Sequence, residues 1–303
     1  MAGKFPMMRS NFKLAEFKKM MLNVSVGATM PSLNTDLMSS IPLMLLERDR
    51  QDKVAKLLDA LDSKIDNDNR INAELERMAK TIYDFWFLQF DFPNEDGKPY
   101  KSSGGQMVWN EELGREIPEG WRVGKLKELA TITIGSSPKG ASLNEDSNGI
   151  IFYQGKSDFG YRFPTVRMYT NSPIRYAEVN DILLSVRAPV GSINIADKRC
   201  CIGRGLAALH CSYQSFLYYF MLSNQYQFDK FNNGGTTFGA ITRDDLLNLR
   251  VVIPDEAVIK LFEERVKPID REIANNEKQN KELVELRDYL LPLLMNGQVM
   301  FSK

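Results

Sequence analysis

Sulfur and imidazole are scarce in this chain: it has three cysteines (Cys200, Cys201, Cys211) and a single histidine, His210. Three cysteines cannot build a disulfide framework, so a reducing, cytoplasmic setting is expected. His210 sits beside Cys211 in Leu209-His-Cys-Ser212, but neither C-x-x-C nor H-x-x-x-H occurs. A metal centre needs several such ligands at close spacing, so no metal is expected and His210 reads as a buried strand residue. No apolar run approaches the ~18 residues that would cross a bilayer. The opening MAGKFPMMRSNFKLAEFKKMM interleaves charge with apolar residues, so no secretory signal is expected. Charge of one sign is also missing. Thirty-nine basic side chains offset 39 acidic ones, and any nucleic-acid surface must come from local asymmetry.

Catalytic signatures are equally thin. There is no G-x-x-x-x-G-K-[ST] phosphate loop, and Gly203-Arg-Gly205 lacks the further glycine of a dinucleotide fingerprint. The Asn/Asp-Pro-Pro-aromatic tetrapeptide with which amino-directed DNA methyltransferases grip a base is absent. Pro254-Asp255 with Glu256 and Lys260 faintly resembles a nuclease metal cluster, but the spacing is wrong, and helix capping accounts for it better. The chain is expected to catalyse nothing by itself and to bind no cofactor.

What is present is two long amphipathic patterns. The length of 303 residues suggests about two domains. From about 46 to 90, Val54, Leu58, Leu61, Ile65, Leu75, Met78 and Ile82 recur at helical spacing, finished by Phe85, Trp86 and Phe87. Pro93, Asn94, Asp96, Gly97 and Pro99 then break the chain. From Glu256 to Leu294, Phe262, Val266, Ile269, Ile273, Leu283, Leu286 and Leu290 form a second stripe, stopped by Asn296-Gly297. Between them short β-rich runs appear: Leu129–Ile134, Gly149–Tyr153, Ile182–Val186 and Ile193–Ile195. Only Ser215–Lys230 reads as helix there. The expected class is α+β, with boundaries of 43–92 and 253–303 for the helices, 93–116 for a linker and 117–252 for the mixed domain.

Shifting the chain by 208 positions lays the first helix on the second. Apolar positions coincide, and so do Asp62 with Asp270, Asn67 with Asn275, Asn72 with Asn280 and Glu74 with Glu282. Polar agreement is harder to obtain by chance. Gly27-Ala28 and Ile41-Pro42 echo Gly239-Ala240 and Ile253-Pro254, so residues 1–42 read as the tail of a second mixed domain. Each helix is too long (~60 Å) to be buried in one small domain. The stripes are expected to close on each other as an antiparallel, coiled-coil-like pair through Val54, Leu58, Leu61, Ile65 and Leu75 on one helix and Phe262, Val266, Ile269, Ile273 and Leu283 on the other. Mid-stripe Asp66, Asn67, Asp68 and Asn69, with Asn275, Asn276, Lys278 and Asn280, are either register-fixing or a solvated bulge.

From Gln154 to Arg204 eight basic residues (Lys156, Arg162, Arg167, Arg175, Arg187, Lys198, Arg199, Arg204) face four acidic ones (Asp158, Glu178, Asp181, Asp197), interleaved with Tyr153, Phe159, Tyr161, Phe163 and Tyr169. Cations and amides on loops suit double-stranded DNA, neutralising phosphate and reading base edges. Three loops are candidates: 135–140, 154–162 and 232–237. The residues they put forward for DNA contact, with two neighbouring arginines, are Ser137, Lys139, Gln154, Lys156, Ser157, Tyr161, Arg162, Arg187, Arg204, Thr236 and Thr237.

Ile117-Pro-Glu-Gly-Trp121, then Ile253-Pro254, then Leu286-Arg-Asp-Tyr-Leu-Leu-Pro-Leu-Leu-Met-Asn-Gly297 resembles the specificity subunits of type I restriction-modification enzymes; the Trp86-Phe87 finish resembles that family's central spacer. The resemblance implies a globular mixed α/β target recognition domain flanked by the two helices, reading half of a bipartite gapped DNA site. It also implies helices that set the gap and dock modification (methyltransferase) subunits, with a restriction subunit joining. S-adenosylmethionine, ATP and Mg would then belong to those partners only. Typical members carry two recognition domains and this chain one, so a homodimer reading inverted half-sites is one expectation. The rival readings are a stand-alone methylase or nuclease and a coiled-coil scaffold without DNA readout.

Overall fold

A computed structural model describes residues 19, 22, 36, 47–232, 239–295 and 298. The tail at 1–42 and the stop at Asn296-Gly297 therefore lie outside the described residues, apart from the isolated positions 19, 22 and 36. The chain divides into two units, residues 1–73 with 275–303 and residues 74–274. No described helix is long and apolar enough to cross a membrane.

The first unit is built on two helix segments. Helix α1 spans Arg48–Tyr83, and the last helix, Glu256–Met295 (α6, after the four short helices described below), supplies residues 275–295. Val54 and Leu58 bury against Leu291, Leu294 and Met295, with Leu57 and Leu290 at the edge. Further along, Asp62 accepts from Arg287 (2.8 Å), Asn69 accepts from Asn280 (3.0 Å) and Asn72 accepts from Asn276 (2.9 Å). One number falls as the other rises, so the segments run antiparallel. Leu61, Ile65 and Leu283 are half-buried. The polar middle is split. Asp68, Asn72, Asn276 and Asn280 are buried, whereas Asp66, Asn67, Asn275 and Lys278 are exposed. Asn72, Asn276 and Asn280, with Asn69, form an amide seam of the kind that selects register, whereas Asp68 pairs with Lys64 on its own helix.

In the second unit the helical apolar stripes change partners. Tyr83 and Phe87 meet both Phe216 and Phe262, with ring centroids 4.9 Å apart for Phe87–Phe216 and 5.2 Å for Phe87–Phe262. Trp86, Val266 and Ile269 join the same core, while Ile273 is fully buried and Leu75 half-buried. Phe262, Val266 and Ile269 thus serve a globular core rather than a bare helix seam. A π-helical turn, Asp84–Leu88, continues α1 and aims Trp86 and Phe87 inward.

The mixed part begins with a hairpin of β1 (Met107–Asn110) and β2 (Arg115–Pro118). Asn110 Oδ1 accepts from Leu113 N–H (3.0 Å), and Gly114 takes φ +61° to close the turn. The hairpin straddles the boundary expected at 116/117. Strand β3 (Arg122–Lys125) leads through a single helical turn, α2 (Leu126–Leu129), into β4 (Thr131–Ile134). Then follow β5 (Leu143–Asn144), β6 (Ile150–Tyr153), β7 (Met168–Thr170), β8 (Tyr176–Ala177), β9 (Ile182–Ser185), β10 (Ile193–Ile195), β11 (Cys200–Ile202) and β12 (Leu206–His210). Helices α3 (Gln214–Ser223), α4 (Asp229–Asn232) and α5 (Arg243–Leu247) precede β13 (Arg250–Ile253) and α6.

Two sheets result. One is ordered β10-β9-β12-β4 and the other β5-β7-β6-β11-β8. All ladders are antiparallel except β11–β6, where Ile202 lies beside Tyr153 in parallel. Strand β13 pairs with β3, Ile253 opposite Arg122, which closes the unit just before α6 starts. Asp255 caps that helix, its carboxylate accepting from Ala257 N–H (2.7 Å). This agrees with reading Pro254-Asp255 as a helix start.

Candidate nucleic-acid interface

The loops of interest leave the ends of neighbouring strands. Past Tyr153 the parallel pairing continues one step: Gly203 N–H donates to Tyr153 O (2.8 Å), and Gly205 N–H to Gln154 O (3.2 Å). The 135–137 loop closes on the same point, with Gly135 N–H donating to Leu206 O (2.9 Å) and Ser136 N–H to Ile202 O (3.0 Å). Val186 N–H donates to Gly205 O (2.9 Å), which brings the start of the Arg187 loop alongside. Such an approach needs residues without side chains. A Cβ on Gly135 would lie 2.2 Å from Gly203 O, and one on Gly205 2.5 Å from Gln154 O.

Side chains complete the frame. Arg204 N–H donates to Ser137 Oγ (3.2 Å), and the Ser137 hydroxyl donates to Gln154 Oε1 (3.2 Å). Asp158, almost fully buried, holds the 154–158 turn. Its carboxylate accepts from Gln154 N–H (2.7 Å), from Gly155 N–H (3.3 Å) and from Arg167 Nε (3.1 Å). The structure thereby gathers Ser137, Gln154 and Arg204 and seats Lys156 and Ser157 on the adjoining turn.

The local basic excess survives folding in reduced form. Arg167 is neutralised by Asp158 and Arg199 by Glu178. Among the described residues no ion pair engages Lys139, Lys156, Arg175, Arg187, Lys198 or Arg204, all of which are exposed. Thr236 and Thr237 lie outside the described residues.

Arg162 does not join this surface, which corrects its expected role. The side chain is only 2% exposed. Its guanidinium pairs with Glu76 (3.2 Å) and Asp270 (3.0 Å), donates to the Tyr219 hydroxyl (3.1 Å) and lies 4.2 Å from the centre of the Tyr218 ring. The Tyr218 hydroxyl donates to Glu76 (3.0 Å), the Tyr219 hydroxyl to Asp270 (2.8 Å) and Ser215 to Asp270 (2.7 Å). Burial pushes the hydroxyls of Tyr218 and Tyr219 well above the ordinary tyrosine range, so both remain protonated donors. Tyr161 is exposed, yet its hydroxyl donates to Glu76 (3.2 Å), on the same brace. A desolvated cation needs this many partners, and they come from α1, α3 and α6.

His210 is a second correction. It ends β12, but its side chain is 63% exposed, with Nδ1 2.7 Å from the buried Asp181 carboxylate. Leu206 to Leu209 are buried on both faces of the strand, so His210 is exposed by its place at the strand's end. Cys200 and Cys201 are buried and Cys211 half-buried, all three free. Among the described residues no group of three or more His, Cys, Asp or Glu side chains could hold a metal ion.

Comparison with known proteins follows the same lines. A family model described as the type I restriction modification DNA specificity domain matches residues 8–77 and 118–285. A protein named as the MjaX type I restriction enzyme specificity subunit of Methanocaldococcus jannaschii is 33% identical over 264 residues, a match covering 86% of this chain and 59% of that one. The MjaIX specificity subunit of the same organism is 25% identical, covering 95% and 67%. Among solved structures, the S subunit of a type I restriction-modification system from M. genitalium superposes with a TM-score of 0.59 at 16% identity over 96% of this chain and 71% of that one, so the two share a fold. The chain spans about three-fifths of the length of the MjaX relative.

Proposed function

The chain belongs to the type I restriction-modification DNA specificity family, and from that premise we propose that it is the non-catalytic, DNA-reading subunit of a methylating and restricting complex. On this reading the 74–274 unit contacts one half of a bipartite double-stranded site. The paired helices set the gap and offer docking surface to modification subunits, while S-adenosylmethionine, ATP and Mg act on the partner chains. The observation that carries the reading is the convergence of Ser137, Gln154 and Arg204 among exposed cations that no ion pair engages among the described residues. Phosphate is the natural complement of such a surface, and amide and guanidinium groups add base recognition. Pairing with a second copy is part of the proposal. Its support is the internal repeat, which makes the two helix segments equivalent under exchange.

The test is the salt dependence of duplex binding by the full chain with its modification subunit. The logarithm of affinity should fall steeply and linearly with that of salt, and Lys139→Ala and Lys156→Ala should each lower the slope by about one. A flat affinity would favour the scaffold reading. Label transfer from S-adenosylmethionine by the isolated chain would favour the enzyme reading, and the mass of the complex in solution reports whether one copy or two is present.

A further inference from the structure

The hydrogen-bond polarity at the centre of the loop cluster restricts what it can read. A hydroxyl has one proton. The Arg204 main-chain N–H already occupies a lone pair of Ser137 Oγ, and the Ser137 proton points to Gln154 Oε1. One lone pair of the Gln154 Oε1 is thus engaged by the protein, whereas among the described residues no bond takes its two N–H donors. Arg204, whose main chain bonds Ser137, is exposed and takes part in no ion pair among the described residues. Arginine carries donors only.

Resting on the DNA reading above, we infer that Gln154 and Arg204 form a donor-rich reading pair that favours base edges presenting acceptors alone. In the major groove that description fits guanine, whose N7 and O6 both accept. Adenine presents N7 as acceptor and its amino group as donor, and a glutamine reads it through donor and acceptor together. With one of its two lone pairs taken by Ser137, Oε1 enters a bidentate adenine contact only in competition with that bond. Ser137 is the positioning residue: it need touch no base, yet its bond to Oε1 biases the amide toward presenting its donors.

The frame around the pair is stiff enough for this polarity to persist. Gln154 lies between Gly203 and Gly205, and a Cβ on Gly203 would stand 2.9 Å from Gln154 Oε1. Asp158 fixes the Gln154 main chain through a 2.7 Å bond to its N–H. An amide flip would set two donors, Ser137 O–H and Gln154 N–H, against each other unless the hydroxyl also turned away.

The experiment is selection from a randomised duplex pool by the full chain with its modification subunit, for the wild type and for Arg204→Ala, Gln154→Ala and Ser137→Ala. The wild-type motif is expected to contain at least one G·C pair whose enrichment drops roughly ten- to a hundredfold in Arg204→Ala and Gln154→Ala. Ser137→Ala, by freeing Oε1, should admit adenine at the position that responds to Gln154, a readout that loss of folding would not produce. Adenine already preferred there by the wild type would overturn the inference, as would a motif unchanged by all three substitutions. Failure of the wild type to enrich any sequence would overturn the DNA reading itself, a different outcome.

Discussion

The Arg162 brace in one unit and the asparagine seam in the other both bury polar side chains, and they do so by opposite means. Around Arg162 a single cation meets two carboxylates and two tyrosines, and its Nη1 and Nη2 are both engaged. Only Nε has no partner among the described residues. The seam relies on neutral amides, and Asn280 Oδ1 has no donor among the described residues. A charge-centred network is intolerant of losing its cation, because the remaining carboxylates keep their desolvation cost. An amide seam is weaker per contact and more selective about alignment, since one step of slip separates every donor from its acceptor.

The largest effect should come from the brace. Replacing Arg162 with Met leaves Glu76 and Asp270 without a counter-ion. Because these carboxylates are 23% and 22% exposed, the cost should fall toward the lower end of about 3–5 kcal/mol. Urea unfolding of the full chain measures it, and a loss below ~1 kcal/mol would erase the distinction between the two networks. The seam should yield less. Asn72→Leu strands the Asn276 amide, costing about 1–3 kcal/mol. The double substitution with Asn276→Leu should recover most of that, because both partners become apolar together. Simple additivity in that cycle would mean the amides are not coupled.

The smallest effect concerns Glu263, a buried acid that has no cation paired with it among the described residues. Burial raises its pKa above the ordinary glutamate range, although Phe216 N–H donates to it at 2.8 Å. A raised acid pKa means that the charged form burdens the native state. That cost is fully present above the folded pKa and vanishes below the ordinary value. Glu263→Gln should therefore be at least as stable as the wild type at neutral pH and lose that advantage near pH 4. Stability curves that stay parallel across the range would show that the group titrates alike in both states.

The long helices were legible because their signal is local and repetitive. The first reads as 46–90 and forms at 48–83 plus a π turn, and the second reads as 256–294 and forms at 256–295. Which stretch of each stripe serves which core was not legible, since Phe262 and Val54 look alike in periodicity while one meets Phe87 and the other Leu291. The hairpin at 107–118 escaped notice because its Val108 and Trp109 point outward, leaving little alternation to read. Arg162 was indistinguishable from Arg167 or Arg204 in its sequence neighbourhood. Its burial depends on Glu76, Asp270 and Tyr219, all distant along the chain. The gathering of Ser137, Gln154 and Arg204 likewise needs three strands in register, although glycines at 135, 203 and 205 hint at a tight crossing.

That crossing bears on descent. The strands meet there through main-chain bonds, so a lineage can exchange the residues at 137, 154 and 204 without rebuilding the scaffold that carries them. New specificities would then arise by point substitution at a few exposed positions. A mutation at Gly135 or Gly205 would instead disable every specificity the site could ever express.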